Sequence, residues 1–268
     1  MEVIFTGVNA WLPMGWSKAV LPLAIKTVED AFTPVGTAFL IDFHGTVALV
    51  TAKHCVFDRR GKPERELYLL SNCMGGGGIY FPLDELKSKF NLSWKTLGEY
   101  DIAATIFVQA TEAKEDVSKF NVDSLESSSN IVEGNDVYFL GFPLCLGVSP
   151  NAKITPVVRN GVVALRNEDK SFIVDANIFP GSSGSPVFLK PNPFDVDWRG
   201  LRLATKLSSP KLVGIITSYL PYTDVAISQQ TGEEKIAFTE NSGLGSALSA
   251  DIIKELLNSK DFNDLILR

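Results

Sequence analysis

Histidine is nearly absent from this chain: its 268 residues include only His44 and His54. Chemistry that depends on an imidazole therefore has two possible addresses. Cysteine is almost as scarce. Cys55, Cys73 and Cys145 cannot close a complete disulfide framework and lack metal-ligand spacing, so reduced thiols and a cytoplasmic location are expected. No apolar run approaches the roughly 18 residues of a membrane-crossing helix. The longest, Val137–Val148, is broken by Gly141, Pro143 and Gly147. No positive side chain precedes Lys18, so the charged start of a secretory signal is missing. Basic residues are never concentrated. The densest group, Arg59-Arg60-Gly61-Lys62 with Arg65, is interrupted by Glu64 and Glu66, and the net charge is −6. Nucleic acid and membrane are therefore not expected partners.

Two segments that could suggest a bound group are weak. Met74-Gly75-Gly76-Gly77-Gly78-Ile79 lacks the Lys-Ser/Thr and opening helix of a phosphate loop, so it reads as a hairpin tip. Asp195-Val196-Asp197 sets two carboxylates on one short segment, which usually means a solvated loop. No cofactor and no metal are expected.

What the chain does have is many short apolar segments punctuated by Gly, Pro, Asn and Asp, the pattern of an all-β protein. Expected strands include Ala19–Lys26, Thr37–Asp42, Thr46–Ala52, Glu66–Leu70, Ile102–Val108 and Asp136–Gly141. A second set covers Val157–Leu165, Ser171–Ala176, Pro186–Leu189, Leu212–Ser218 and Ile236–Phe238. Leu83–Phe90 has amphipathic helical spacing. Ser249 is a good N-cap for a C-terminal helix over Ala250–Asn258, with Ile252, Ile253, Leu256 and Leu257 on one face. The Glu- and Ser-rich stretch Ala113–Asn130 is the best linker, giving two halves, 1–125 and 126–268. Lys190–Pro210 is read as an irregular insertion whose Trp198 covers a face.

The chemistry lies in three segments. Leu49-Val50-Thr51-Ala52-Lys53-His54-Cys55 supplies a histidine, Tyr100-Asp101-Ile102-Ala103 an aspartate, and Pro180-Gly181-Ser182-Ser183-Gly184-Ser185-Pro186 a glycine-flanked serine. A serine hydroxyl needs an adjacent base to become nucleophilic near neutral pH, and a carboxylate must fix the tautomer of that base. His44 lies in Asp42-Phe43-His44-Gly45 between two apolar runs and reads as a hairpin turn, which leaves His54. Asp101 enters an apolar strand directly, so its carboxylate sits at a strand end, whereas Asp58 is too close to His54 and lies in a polar loop. Ser183 is the candidate nucleophile. Gly181 permits a backbone turn in which its N–H and that of Ser183 aim at one point, an oxyanion hole. Cys55 is expected to point away from His54, as adjacent side chains on a strand or turn do, and to be structural filler. The base should titrate near its ordinary value of about 6.5 unless the site shifts it.

At these residues the chain resembles the chymotrypsin-like serine protease superfamily, and within it the bacterial HtrA/Deg branch. Thr51-Ala52-Lys53-His54-Cys55, Asp101-Ile102-Ala103 and Gly181-Ser182-Ser183-Gly184-Ser185-Pro186 are similar to its three motifs. Gly134-Asn135-Asp136-Val137 through Gly141-Phe142-Pro143 resembles the strand opening the second barrel, and Gly243–Leu248 before a helix resembles the domain ending. The resemblance implies two packed six-stranded antiparallel β-barrels with a short C-terminal helix. It implies a serine endopeptidase in which Ser183 attacks a peptide carbonyl, His54 carries the proton and Asp101 orients His54. The partner is then an extended polypeptide, paired with the strand edge Thr217-Ser218-Tyr219, while Asn177, Ile178 and Tyr219 line the pocket for the side chain before the cut. An uncharged Asn177 favours small or medium apolar side chains there. Ser182 stands where zymogen-activated relatives carry an aspartate. Ile131-Val132-Glu133-Gly134 imitates a freed terminus but sits mid-chain, so activation by clipping is not expected. No cysteine lies in Gly36–Ile41 to bridge Cys55. Two rival readings keep the same groove: a catalytically inactive peptide-binding module, and an esterase.

Overall fold

A computed structural model describes residues 15–26, 32–58, 60–62, 66–74, 76–108, 115–148, 153–191, 194–197, 200–203 and 211–266. Arg59, Arg65, Gly75, Trp198 and most of the 190–210 insertion lie outside the described residues.

The first half contains β1 (Val20–Lys26), β2 (Phe32–Phe43), β3 (Thr46–Thr51), β4 (Leu67–Asn72) and β5 (Gly78–Pro82). Helix α1 (Leu83–Phe90), β6 (Lys95–Thr96), β7 (Ala103–Ile106) and β8 (Phe120–Asn121) complete it. Its strands pair in the order β5-β4-β1-β2-β3-β7-β6, with β8 beside β2. The six strands implied by the resemblance become eight here because β6 and β8, two residues each, add short rungs. Leu125 and Phe120 are buried, and anchoring them draws Phe120–Asn121 alongside Ile41–Asp42. Val47–Val50, a continuous apolar run, is central and covered on both faces, as such runs require. Pro22 precedes the stretch Leu23–Ile25 that pairs with β4, so its missing N–H removes no rung there. His44 and Gly45 both have positive φ, 51° and 90°, between the paired Phe43 and Thr46. That is the two-residue hairpin turn the sequence suggests. The described glycines Gly76 and Gly77 likewise lie at a hairpin tip, where Asn72 pairs with Gly78 and the Cys73 N–H donates to the Gly77 carbonyl at 3.0 Å.

The second half contains β9 (Asp136–Gly141), β10 (Val157–Arg166), β11 (Ser171–Asp175), β12 (Pro186–Leu189), β13 (Phe194–Asp197) and β14 (Gly200–Leu203). Then come β15 (Lys211–Ile227), β16 (Glu234–Ser249), and helices α2 (Ala250–Asn258) and α3 (Lys260–Ile266). Six of these strands close a barrel in the order β10-β11-β16-β15-β12-β9. Two expectations change. Asp195–Asp197 is not a loop but half of the two-stranded pair β13–β14. The expected strands Leu212–Ser218 and Ile236–Phe238 are fragments of much longer ones, whose pairing continues to Ile227 and Glu234. Runs of β-branched and aromatic residues there support strand geometry even without a core to cover.

One core cluster crosses both halves, joining Phe39, Ile41 and Phe120 to Tyr138, Phe188, Leu212 and the α2 residues Ile252, Ile253, Leu256 and Leu257. Each half also keeps its own cluster. The described part of the expected linker, Glu115–Asn130, is held rather than loose: the Glu126 N–H donates to the Leu212 carbonyl at 2.8 Å. Helix α2 occupies the residues its apolar spacing predicts. The Ser249 hydroxyl, however, is buried and makes no capping bond. Instead Asp251 accepts the Ser128 N–H at 2.9 Å, tying the helix start to the segment between the halves.

Candidate active site

Strand pairing explains why His54 and Asp101, distant in sequence, become neighbours. β3 ends at Thr51 and β7 begins at Ala103, and these residues are cross-strand partners. His54 follows on a 3₁₀ turn, Lys53–Cys55, while Asp101 lies just before β7. The Asp101 carboxylate takes both available donors. Its Oδ2 lies 2.7 Å from His54 Nδ1, and its Oδ1 accepts the His54 backbone N–H at 2.9 Å. Two bonds to one residue fix the ring orientation and place the Nδ1 proton toward the carboxylate, leaving Nε2 facing away.

The 3₁₀ turn also overturns one expectation. Cys55 does not point away: its Sγ lies 3.8 Å from His54 Nε2 and 3.8 Å from the Ser183 carbonyl oxygen. The strand has already ended, so alternation no longer governs these two residues. The Asp101 carboxylate, first, and the Cys55 sulfur, second, raise the His54 pKa to about 10 against the opposing effect of burial. In this arrangement the imidazole is charged at neutral pH, unlike the expected titration near 6.5.

Ser183 lies in the turn between β11 and β12. The pairing of Pro186 with Ile215 brings that turn against β15. Gly184 N–H donates to the Ile216 carbonyl at 2.7 Å, and Ile216 N–H to the Ser185 carbonyl at 2.9 Å. The Ser183 hydroxyl donates to the Thr217 carbonyl at 3.0 Å. Among the described residues no hydrogen bond joins it to His54. The N–H groups of Gly181 and Ser183 have no acceptor among the described residues either. They are free to bind a developing negative charge. Gly181 has φ 91°, and a Cβ there would collide with the Phe142 carbonyl oxygen, so this turn requires glycine. The Ser182 and Ser185 hydroxyls are buried without partners among the described residues.

Sequence reasoning missed Thr37, a fully buried residue of β2. Its hydroxyl donates to the Gly181 carbonyl at 2.8 Å and accepts the Phe142 N–H at 3.2 Å. Its N–H donates to the Ser183 carbonyl at 2.8 Å, and its carbonyl accepts the Thr51 hydroxyl at 2.7 Å. One threonine thus fastens the serine turn of the second half to the histidine strand of the first. No sequence signal marks it, because a threonine in a β-strand is ordinary. Gly36, its neighbour, faces Cys55: a Cβ there would be 2.6 Å from Sγ.

The other site candidates occupy the approach to this turn. Asn177 is exposed, and its carbonyl accepts from Arg159, whose guanidinium also lies over the Phe179 ring at 5.2 Å and the Phe139 ring at 5.7 Å. Ile178 is 2% exposed and turned into the barrel, where a Cβ on Gly245 would meet it. Its side chain therefore belongs to the core. Thr217 is buried and donates to the Ser246 carbonyl at 3.2 Å. Ser218 and Tyr219 are exposed at the strand edge.

Residues 36–192, more than half of the chain, match the family model of the trypsin-like peptidase domain. No curated protein matches by overall sequence. Among solved structures, the HtrA-type protease AlgW, determined as a variant with a tripeptide, is similar with a TM-score of 0.50 at 16% identity. The alignment covers 91% of this chain and 60% of that one. A serine endoprotease from Yersinia pestis gives 0.49 at 16% identity, covering 94% of this chain and 64% of that one. The chain therefore spans about three-fifths of the length of these structures, and the likeness to AlgW is one of fold. No helix of the described residues is long and apolar enough to cross a membrane. Motif order, sheet topology and the match over residues 36–192 agree, and the chain belongs to the trypsin-like peptidase domain family.

Proposed function

We propose that the protein is a serine endopeptidase acting through Ser183, His54 and Asp101. The observation that carries this reading is the doubly bonded Asp101–His54 pair beside a serine turn with two free N–H donors. For attack, the Ser183 hydroxyl leaves the Thr217 carbonyl, a rotation between staggered side-chain positions. Neutral His54 then takes its proton at Nε2 as Oγ bonds to the substrate carbonyl carbon. The carbonyl oxygen becomes an oxyanion facing the N–H groups of Gly181 and Ser183, and each such donor lowers the barrier by roughly 3 kcal/mol. Protonated His54 gives its proton to the leaving amine as the C–N bond breaks, leaving an acyl-enzyme. Water, deprotonated by His54, cleaves that ester and restores Ser183.

The substrate is an extended polypeptide pairing with Thr217-Ser218-Tyr219, a strand addition in which main-chain bonds supply affinity. Asn177 and Tyr219 border the side-chain pocket, together with the backbone of Ile178. The free thiols of Cys55, Cys73 and Cys145 fit a cytoplasmic setting. Substituting Ser183 by Ala should lower the rate by about 10⁶-fold while leaving the fold intact. A Ser183→Ala protein that hydrolyses casein at the parent rate ends this reading.

A second reading, an inactive peptide-binding module, is favoured by one observation: the Ser183 hydroxyl bonds to Thr217 and not to His54. Stoichiometric labelling of Ser183 by a fluorophosphonate probe excludes it. An esterase on the same residues would hydrolyse ester but not peptide substrates.

A further inference from the structure

Beyond Tyr219 the strands β15 and β16 leave the barrel as a two-stranded arm. β12 pairs with β15 only as far as Ile215, and β11 pairs with β16 only from Leu244. From Tyr222 to Ile227 and from Glu234 to Glu240, β15 and β16 pair only with each other among the described residues. Every residue from Thr231 to Glu240 is exposed. An isolated two-stranded ribbon is marginally stable alone and leaves both edges open.

The cross-strand register gives this arm a chemical character. Tyr222 is opposite Glu240, Asp224 opposite Phe238, and Ala226 opposite Ile236. Directly opposed residues share a face, as do residues two apart on one strand. One face therefore carries Tyr222 and Phe238, 56% and 51% exposed, each with a carboxylate across from it. An aromatic ring beside a carboxylate suits a lysine or arginine side chain, which can lie over the ring while its charge meets the anion. Asp224 and Glu240 form no ion pair among the described residues. The arm's one cation, Lys235, is held by Glu233 at 3.0 Å.

The open edge is continuous with the proposed substrate edge. The serine turn occupies β15 at Ile216 and Thr217, and among the described residues the edge is open from Ser218 onward. A chain antiparallel to β15, with its scissile carbonyl at Ser183, directs the residues before the cut toward Ile227. At about 3.3 Å per residue, Leu220–Ile227 spans roughly 26 Å, enough for about the fourth to eleventh residues before the cut. Pro221 offers no N–H, so the ladder is interrupted there and side chains must carry recognition further out.

We propose that the arm is a docking strip for a basic segment of the polypeptide substrate, lying upstream of the cleaved bond. This rests on the serine endopeptidase reading. Like charge disfavours a second copy as the occupant, since the arm carries Asp224, Glu233, Glu234 and Glu240 against Lys235 and the whole chain is at −6.

The test uses the full-length Ser183→Ala protein and fluorescent peptides that differ only in carrying Lys or Glu at positions four to ten before the preferred cut. Polarisation at low salt should show about tenfold tighter binding of the Lys peptide, a gap that closes as salt screens the charges. The double variant Asp224→Lys, Glu240→Lys should erase or invert that preference. Equal binding of the two peptides, or a preference that survives the double variant, overturns the proposal. So does an equilibrium-sedimentation result in which the arm is buried in a dimer that the double variant dissociates. Hydrolysis of a short ester substrate separates the two readings. The double variant with Ser183 intact should match wild type there, and if wild type neither turns over nor labels with fluorophosphonate, the endopeptidase reading falls while the binding preference is judged alone.

Discussion

The Thr37 hydroxyl and the Gly181 carbonyl meet at 2.8 Å across the two halves of the molecule. The residue whose N–H is proposed to face an oxyanion is thereby held on its carbonyl side by a side chain from the opposite half. Thr37→Val keeps the shape and removes the bond, leaving the Gly181 carbonyl and the Phe142 N–H buried with one partner fewer. The expected loss is about 1–3 kcal/mol by urea denaturation. The rate kcat should fall by more than KM rises, because the bond orders a group that acts only in the transition state.

The environment of His54 predicts an alkaline profile. With its pKa raised to about 10, the neutral base accumulates only as pH climbs toward that value, so kcat/KM should rise across the range from neutral to pH 10. Removing the sulfur with Cys55→Ala should move the midpoint of the rate profile toward neutral. The linked stability has the opposite slope. A group whose folded pKa exceeds its unfolded value of about 6.5 contributes fully below that pH, and the contribution disappears as pH rises through about 10. Thermal melts of wild type and Asp101→Asn should therefore differ most below pH 6.5 and converge near pH 10.

Two glycines separate strain from collision. Gly45 has φ 90°, and nothing lies within 4 Å of the point a Cβ would occupy, so Gly45→Ala should cost only the left-handed backbone penalty, roughly 1–2 kcal/mol. Gly184 has φ 87°, and a Cβ there would collide with the Thr37 carbonyl oxygen. Gly184→Ala should fail to fold or lose the serine turn, seen as loss of fluorophosphonate labelling together with a much lower melting temperature.

Arg159 holds the segment leading to Gly181. It donates to the Asn177 carbonyl and lies over Phe179, whose own carbonyl accepts the Ser182 N–H at 3.0 Å. Arg159→Met keeps the aliphatic bulk and removes the donor. A fall of about tenfold in kcat with little change in KM is expected, accompanied by weaker binding of a peptidyl trifluoromethyl ketone. A change confined to KM would place Arg159 in substrate binding instead.

Local signals carried far in this chain. The helices over Leu83–Phe90 and Ala250–Asn258 have the bounds their apolar spacing predicts, and the strands at Asp136–Gly141 and Pro186–Leu189 do as well. The strand pair β13–β14 and the arm of β15–β16 were not legible. β13 and β14 alternate but are only four residues each, too short to stand out from a loop, and the arm lacks sustained alternation, so its pairing is decided by a partner strand. The contact of Cys55 with His54 was hidden for a related reason: a single 3₁₀ turn after β3 reverses the direction that strand geometry would give.

What the sequence determined by itself was chemical identity: with two histidines, one of them in a hairpin turn, His54 is the remaining imidazole for base chemistry. Tertiary structure alone decided who touches whom. The Thr51–Ala103 pairing joins His54 to Asp101, Thr37 reaches across to Gly181, and the Ser183 hydroxyl rests on Thr217. Composition and periodicity report which groups a chain owns and which faces it buries. Register and crossing between distant strands arise only when the whole core closes, so no local pattern encodes them.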